Sequence, residues 1–191
     1  MKLDILAFGA HPDDVELSCS GSLLVHIAAG KTAGVIDLTK GELGTRGNEE
    51  IRKKESEVSS KLLGISIREN MGFADGFFRN DKEHQIEVIR KIRQYRPEII
   101  LATAVSDRHP DHGRASALVA EATYYSGLQK IVTTIDGKDQ EPWRPKAVYH
   151  YIQFNNLQPD FVVDISEFID TKMESILAYS SQFYNPVSSE P

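Results

Sequence analysis

Two short blocks of this chain carry residues that can bind a metal ion. The first is Ala10-His11-Pro12-Asp13-Asp14, and the second, much later in the chain, is His109-Pro110-Asp111-His112. Each block pairs a histidine with a second potential ligand three residues on, around a proline that interrupts regular structure. A catalytic zinc site needs three protein ligands and keeps a fourth position open for water. The two blocks therefore predict a metal-dependent hydrolase.

The residue types narrow the ligand set without deciding it. His11 and Asp14 are close enough to bind one ion from the same side, and either His109 or His112 could complete the set. Two imidazoles and one carboxylate suit zinc, one ion per chain, and iron(II) accepts the same ligands. The other interpretation is that the aspartates cap helices and the histidines are surface residues. The occurrence of two histidine blocks at the ends of neighbouring strands favours metal binding over this interpretation.

Composition argues against several classes of protein. The chain has 191 residues, enough for one domain with a full core, and a formal net charge of −6. A nucleic-acid binder would need a basic face, which a negative net charge does not favour. Cys19 is the single cysteine and cannot form an intramolecular disulfide. No apolar run suits a membrane span or a signal peptide. We predict a cytoplasmic protein whose partner is a small molecule.

Short strands alternate with longer helices along the sequence, which favours a parallel sheet covered by helices on both faces. Strands are predicted at residues 3–9, 32–39, 65–71, 98–104, 146–152 and 161–165. Helices are predicted at residues 15–29, 49–63 with Asn48 as N-cap, 81–95, 111–126 and 166–183. Loops are predicted at residues 41–47 and 136–145. The predicted fold class is α/β, a single-domain, Rossmann-like, doubly wound sheet that is mainly parallel.

This topology would bring the two blocks together. The first block directly follows the first strand, and the second directly follows the fourth. In a doubly wound sheet ordered 3-2-1-4-5, these strands are neighbours where the winding direction changes, and ligands bind outside their carboxyl ends. The glycine-rich loop at residues 41–47 leaves the second strand at the same edge. All three segments should therefore meet at one crevice.

Several other chemistries lack their motifs here. No G-x-G-x-x-G follows the first strand, and Gly41, Gly44 and Gly47 match neither a dinucleotide fingerprint nor a P-loop. The H-E-x-x-H helix of zinc proteases and the G-x-S-x-G nucleophile elbow are also absent. A metal-dependent phosphoesterase and a non-catalytic module that binds a metal or a sugar stay as alternatives.

Four segments together resemble the PIG-L/LmbE family. They are Ala-His-Pro-Asp-Asp after the first strand, the loop Gly-Glu-Leu-Gly-Thr-Arg-Gly, the helical Arg-Lys-Lys-Glu and the later His-Pro-Asp-His. The resemblance implies a zinc-dependent N-deacetylase of N-acetylglucosamine-containing compounds. The form Asp-Arg-His-Pro-Asp-His and the tail Ala-Tyr-Ser-Ser-Gln-Phe at residues 178–183 resemble the bacillithiol-pathway branch. That branch implies N-acetylglucosaminyl malate as the substrate, and another N-acetylglucosaminyl compound is the alternative.

The resemblance also implies a role for each site residue. The zinc ligands would be His11, Asp14 and His112. Asp13 would be the general base that takes a proton from water. His109 would stabilise the oxyanion or protonate the leaving amine, and Asp13 is the other candidate for that proton. Arg52, on the helix after the glycine-rich loop, would contact the substrate.

Arg46 and Arg108 are further candidate substrate contacts, although an exposed arginine is more often a solvated surface charge. Arg108 adjoins His109 and could receive a malate carboxylate as a bidentate pair. The resemblance also implies a homo-oligomer. Family members with this core continue for a further strand and helix, so we expect residues 1–191 to form one domain that lacks this C-terminal segment.

Overall fold

A computed structural model describes residues 1–183 of the chain. Its strands are β1 (Ile5–Gly9), β2 (Ala33–Thr39), β3 (Ile67–Phe73), β4 (Ile99–Ala102), β5 (Thr134–Ile135), β6 (Lys138–Asp139) and β7 (Ala147–His150). Five of them form a sheet in the order β3-β2-β1-β4-β7, in which every neighbouring pair is parallel. This confirms the predicted strand order. The short strands β5 and β6 form a separate hairpin, so β6 lies within a predicted loop.

Helices cover both faces of the sheet, as predicted. They are α1 (Asp14–Ser18), α2 (Ser20–Ala28), α3 (Glu49–Leu63), α4 (Lys82–Tyr95), α5 (Pro110–Ser126) and α6 (Ile169–Leu177), with a 3-10 turn at Ser166–Phe168. Helices α1, α2, α3 and α6 pack together on one face, and α4 and α5 pack on the other. Side chains alternate along β1, so Ile5 and Ala7 join the core under α1 and α2. Leu6 and Phe8 join the core under α4 and α5.

Local capping signals set the ends of the two long helices that flank β3. Asn48 accepts a hydrogen bond from the Ile51 backbone N–H at 2.9 Å and starts α3. Gly64 ends this helix in the left-handed conformation, with φ 69°. Asp81 caps α4 by accepting from the His84 backbone N–H at 3.1 Å. These ends lie where the sequence predicts them.

The helix predicted over residues 15–29 divides at Cys19. Ser20 Oγ donates to the Glu16 carbonyl oxygen at 2.7 Å, and Lys172 Nζ donates to the same oxygen at 2.6 Å. Lys172 also donates to the Leu17 carbonyl at 3.0 Å. Side-chain donors therefore compete for the carbonyls that a continuous helix would pair with later amides. The helix is interrupted at Cys19, between α1 and α2.

The strand predicted at residues 161–165 is wrong, since this segment forms no strand. The Phe161 ring packs edge-on against Tyr149 of β7, with centroids 5.1 Å apart, and Ile165 packs against Gly21 of α2. The apolar side chains of this segment pack against neighbouring elements, although its backbone does not pair as a β-strand. The helix predicted to reach residue 183 ends at Leu177, and the following residues turn back toward α3.

A buried ion network joins β2 and β3 to α1. Arg68 of β3 donates to Asp37 Oδ2 at 2.8 Å through Nε and to Glu16 Oε1 at 2.5 Å through Nη1. Glu16 also accepts from Ser59 Oγ at 2.6 Å and from the Tyr179 hydroxyl at 3.0 Å. The positive charge of Arg68 therefore balances the negative charges of two buried carboxylates, Asp37 and Glu16.

None of the helices within residues 1–183 is long and apolar enough to cross a membrane. The cytoplasmic location and the homo-oligomer stay predictions. The expected lack of a C-terminal segment concerns the end of the chain, and residues 184–191 lie outside the described residues.

Replacing Arg68 by alanine should lower the free energy of unfolding by about 3–5 kcal/mol, because Asp37 and Glu16 would stay buried without their cation. Urea unfolding followed by circular dichroism measures this loss. The matched control is Arg90→Ala, since Arg90 pairs with the half-exposed Glu87 and should contribute about 1 kcal/mol or less. Equal losses in the two variants would contradict the importance of the buried network.

Candidate metal centre and active site

The two histidine blocks meet at the carboxyl ends of β1 and β4. These strands are parallel neighbours, with Ala7 paired to Leu101. His11 follows β1, whereas His109 and His112 lie at the start of α5, after β4. The His11 ring centroid lies 4.7 Å from that of His109 and 5.6 Å from that of His112. The structure therefore gathers the three imidazoles into one cluster.

The carboxylate of Asp14 lies between two of these imidazoles. Its Oδ2 is 3.5 Å from His11 Nδ1, and its Oδ1 is 3.2 Å from His112 Nε2. Oδ2 also accepts from the His11 backbone N–H at 2.9 Å. Burial raises the pKa of Asp14, but hydrogen bonds with His11 and His112 outweigh burial and hold this pKa well below its ordinary value. The three predicted ligands are thus contiguous, with an ionised carboxylate in the middle.

The outward nitrogen of each of these imidazoles faces a further carboxylate. His11 Nε2 lies 3.0 Å from Asp75 Oδ1 and 3.4 Å from Asp111 Oδ2. His112 Nδ1 lies 3.2 Å from Asp107 Oδ1, which is within ion-pair distance although the angle falls short of a hydrogen bond. Burial lowers the pKa of His11, but the surrounding carboxylates, Asp111 first, outweigh burial and raise it to about 12. A carboxylate behind the ring is typical of metal-binding histidines.

The described residues contain two groups whose ligand atoms lie within 4.8 Å of one another. One group is His11, His109 and His112, and the other is His11, Asp75 and Asp111. The Asp111 side chain is fully buried, and it pairs with Arg114 at 2.5 Å and accepts from the Gly76 backbone N–H at 2.8 Å. Because buried charges in proteins are paired or coordinate metals, this concentration of carboxylates and imidazoles fits a divalent cation. Neither group contains Asp14. The predicted set of His11, Asp14 and His112 has the two imidazoles and one carboxylate that suit Zn²⁺ and iron(II).

Asp13 occupies a strained backbone position at the start of α1. Its φ is 120°, a region that non-glycine residues rarely adopt, and its side chain makes no capping hydrogen bond. Burial raises the pKa of Asp13 well above its ordinary value, and the negative charge of Asp14 adds to this rise. Neighbouring carboxyl groups with opposite pKa shifts are typical of acid–base sites.

His109 is the N-cap of α5. Its Nδ1 accepts the Asp111 backbone N–H at 3.3 Å, so the proton of the neutral ring lies on Nε2. Burial, followed by the charges of His11 and His112, lowers the pKa of His109. A neutral N–H donor therefore lies beside the two imidazoles that flank Asp14.

Arg52 of α3 lies against the glycine-rich loop. The side chain is buried, and a Cβ at Gly41 would meet its Nη1 at 1.8 Å. Gly41 also has φ 67°, so this close approach requires glycine. Arg52 donates to Gln182 Oε1, and its charge acts on Asp13. Arg52 is thus close enough to the site to influence its acid–base groups.

The other two predicted arginines contact different parts of the chain. Arg46 donates to the carbonyl oxygens of Gln182 at 2.7 Å and Phe183 at 3.4 Å. The guanidinium carbon of Arg108 lies 4.7 Å from the centroid of the Phe154 ring, and both side chains are exposed. The roles of these arginines as substrate contacts stay predictions.

Sequence reasoning did not assign four side chains that contact the predicted ligands. They are Asp75, Asp107, Asp111 and Gln153. The first two follow the ends of β3 and β4, so their place at the carboxyl edge of the sheet was a usable signal. Asp111 had been weighed only as a helix cap. Gln153 follows β7 and donates from Nε2 to Asp14 Oδ1 at 2.7 Å, and no sequence motif marks it.

Known proteins resemble this chain along nearly its whole length. It is 28% identical to the diacetylchitobiose deacetylase of Thermococcus kodakarensis, covering 94% of this chain and 70% of that protein. It is 25% identical to the probable N-acetyl-alpha-D-glucosaminyl L-malate deacetylase 2 of Bacillus anthracis, covering 96% of this chain and 83% of that protein.

The fold and the family are both confirmed by these comparisons. The crystal structure of the conserved protein TT1542 from Thermus thermophilus superimposes with a TM-score of 0.87 and 38% identity, over 95% of this chain and 80% of that one. The family model described as "PIG-L: GlcNAc-PI de-N-acetylase" matches residues 6–123, which include both histidine blocks. This protein therefore belongs to the PIG-L family.

Proposed function

We propose that this protein is a zinc-dependent hydrolase that removes the acetyl group from a small molecule containing N-acetylglucosamine. The observation that carries the proposal is the Asp14 carboxylate between His11 and His112, with Asp13 and His109 beside it. Membership of the PIG-L family supports hydrolysis of an N-acetyl amide.

The proposed ligands are His11, Asp14 and His112. The His11 and His112 nitrogens that face Asp14 are the ones available to a metal, because their other nitrogens face Asp75 and Asp107. His109 also lies within reach of His11 and His112, but within residues 1–183 no carboxylate supports its ring as Asp75 and Asp107 support those of His11 and His112. A bound Zn²⁺ supplies Lewis acidity and lowers the pKa of a water molecule to about 7.

Asp13 and His109 divide the remaining chemistry. Asp13 accepts a proton as water attacks the acetyl carbon, and the carboxylic acid formed returns that proton to the amine nitrogen as the C–N bond breaks. Its raised pKa suits both steps. The His109 N–H donates to the developing oxyanion. The products are acetate and the free amine.

The proposed substrate is N-acetylglucosaminyl malate. Arg108 offers an exposed guanidinium next to His109, where a carboxylate of the malate group could be bound as a bidentate pair. The Bacillus anthracis relative carries the name of this substrate. The Thermococcus relative is named for diacetylchitobiose, so another N-acetylglucosaminyl compound is the alternative.

Asp13→Asn should keep the bound metal and lower kcat by about 10²- to 10⁴-fold, because it removes the proton acceptor and leaves the ligands intact. Asparagine has the same shape and tolerates positive φ. Metal analysis and amine-release kinetics on N-acetylglucosaminyl malate measure the two effects. The control His112→Ala should lose both metal and turnover, and chelation of the parent protein should abolish activity until Zn²⁺ is restored. Loss of metal from Asp13→Asn would make Asp13 a ligand instead.

Arg108→Ala should lower kcat/KM for N-acetylglucosaminyl malate by about 10- to 100-fold, since a charged hydrogen-bonded pair is lost. Hydrolysis of N-acetylglucosamine itself should change little, because this sugar has no carboxylate. The matched control is Arg144→Ala, whose guanidinium lies over the Tyr124 ring at 4.6 Å in the same kind of contact. Equal losses on the two substrates would exclude carboxylate recognition by Arg108.

A further inference from the structure

Gln153 holds the carboxylate at the centre of the proposed metal site. Its Nε2 donates to Asp14 Oδ1 at 2.7 Å, and the same oxygen lies 3.2 Å from His112 Nε2. The other oxygen, Oδ2, accepts from the His11 backbone N–H at 2.9 Å. Each carboxylate oxygen of Asp14 therefore has one fixed donor that is not an imidazole. Of these two donors, the one from His11 is a backbone N–H and the one from Gln153 is a side-chain amide.

The orientation of the Gln153 amide is determined by Asp14. A flipped amide would place an acceptor oxygen against the carboxylate, so the NH₂ group must face Asp14. The Oε1 atom is then buried without a hydrogen-bond partner among the described residues, which is unfavourable. Within residues 1–183, the hydrogen bond with Asp14 is therefore the one that holds the Gln153 amide in place.

The segment that carries Gln153 is tied to β1 and to the loop that follows β4. The Tyr151 hydroxyl donates to the Phe8 carbonyl oxygen of β1 at 2.8 Å. The Phe154 backbone N–H donates to Asp107 Oδ2 at 2.9 Å, and Asp107 also faces His112. These anchors on either side keep Gln153 at a set distance from Asp14.

We propose that Gln153 is a positioning residue that orients Asp14 for the metal ion. This inference rests on the metal-binding part of the proposed function. An amide is suited to the task because it donates a hydrogen bond without a positive charge. A lysine or arginine at this place would neutralise Asp14 and repel the cation. Gln153 therefore fixes the carboxylate while its full charge stays available.

The test compares Gln153→Met with Gln140→Met. Methionine keeps the approximate length of the side chain and removes the donor. Gln140 is the matched control, because its Nε2 also donates to an oxygen, the Arg90 carbonyl at 2.9 Å, and its Oε1 is also buried without a partner. The dissociation constant of Zn²⁺ is measured by competition with a chromophoric chelator, and the Co²⁺ absorption spectrum reports ligand geometry. Thermal unfolding of the metal-free proteins reports stability.

Gln153→Met should weaken Zn²⁺ binding by about 10- to 100-fold, the usual effect of losing a partner of a metal ligand, and should alter the Co²⁺ spectrum. The Tm of the metal-free Gln153→Met protein should not fall below that of metal-free Gln140→Met, since both variants remove an unsatisfied oxygen.

Unchanged Zn²⁺ affinity of Gln153→Met, with or without a lower Tm, would overturn the proposal. A parent protein that binds neither Zn²⁺ nor Co²⁺ would overturn the metal site and this inference together. A parent protein that binds zinc and hydrolyses no acetamido sugar would overturn the proposed reaction alone.

Discussion

The parallel pairing of β1 with β4 is the constraint on which the rest of the site depends. The chain reverses its winding direction at this pair, with β2 and β3 on one side and β7 on the other. Both strands end at the same edge of the sheet, so the loops that follow them must share one crevice. His11 and His112 meet there, and the ends of β3 and β7 add Asp75 and Gln153 from either side.

Burial of several carboxylates in this crevice gives it an electrostatic character suited to a cation. Asp14 is shared by two imidazoles, and their outward nitrogens meet Asp75 and Asp107. The same burial acts differently on Asp13, which has no imidazole in hydrogen-bond contact and whose pKa is raised. The surroundings therefore shift the pKa values of two adjacent aspartates in opposite directions, as their proposed roles of ligand and proton acceptor require.

The last described residues connect α3 with the glycine-rich loop. Glu55 of α3 accepts from the Ser181 backbone N–H at 2.7 Å. Gln182 accepts from Arg52 and donates to the Arg46 carbonyl oxygen at 2.8 Å. The tail that resembles the bacillithiol branch therefore holds the glycine-rich loop against α3.

Local chemistry in the sequence determined the element types, the caps at Asn48 and Gly64, and the two histidine blocks. The winding rule for parallel sheets then predicted that these blocks would meet. Local patterns failed at Cys19 and at residues 161–165, because the contacts that decide both places come from distant elements. Gln153 was beyond prediction for the same reason, since only tertiary structure brings the end of β7 to Asp14. The hydrophobic periodicity of the sequence indicates which side chains are buried. Hydrogen bonds between distant segments depend instead on which strands pair in the sheet.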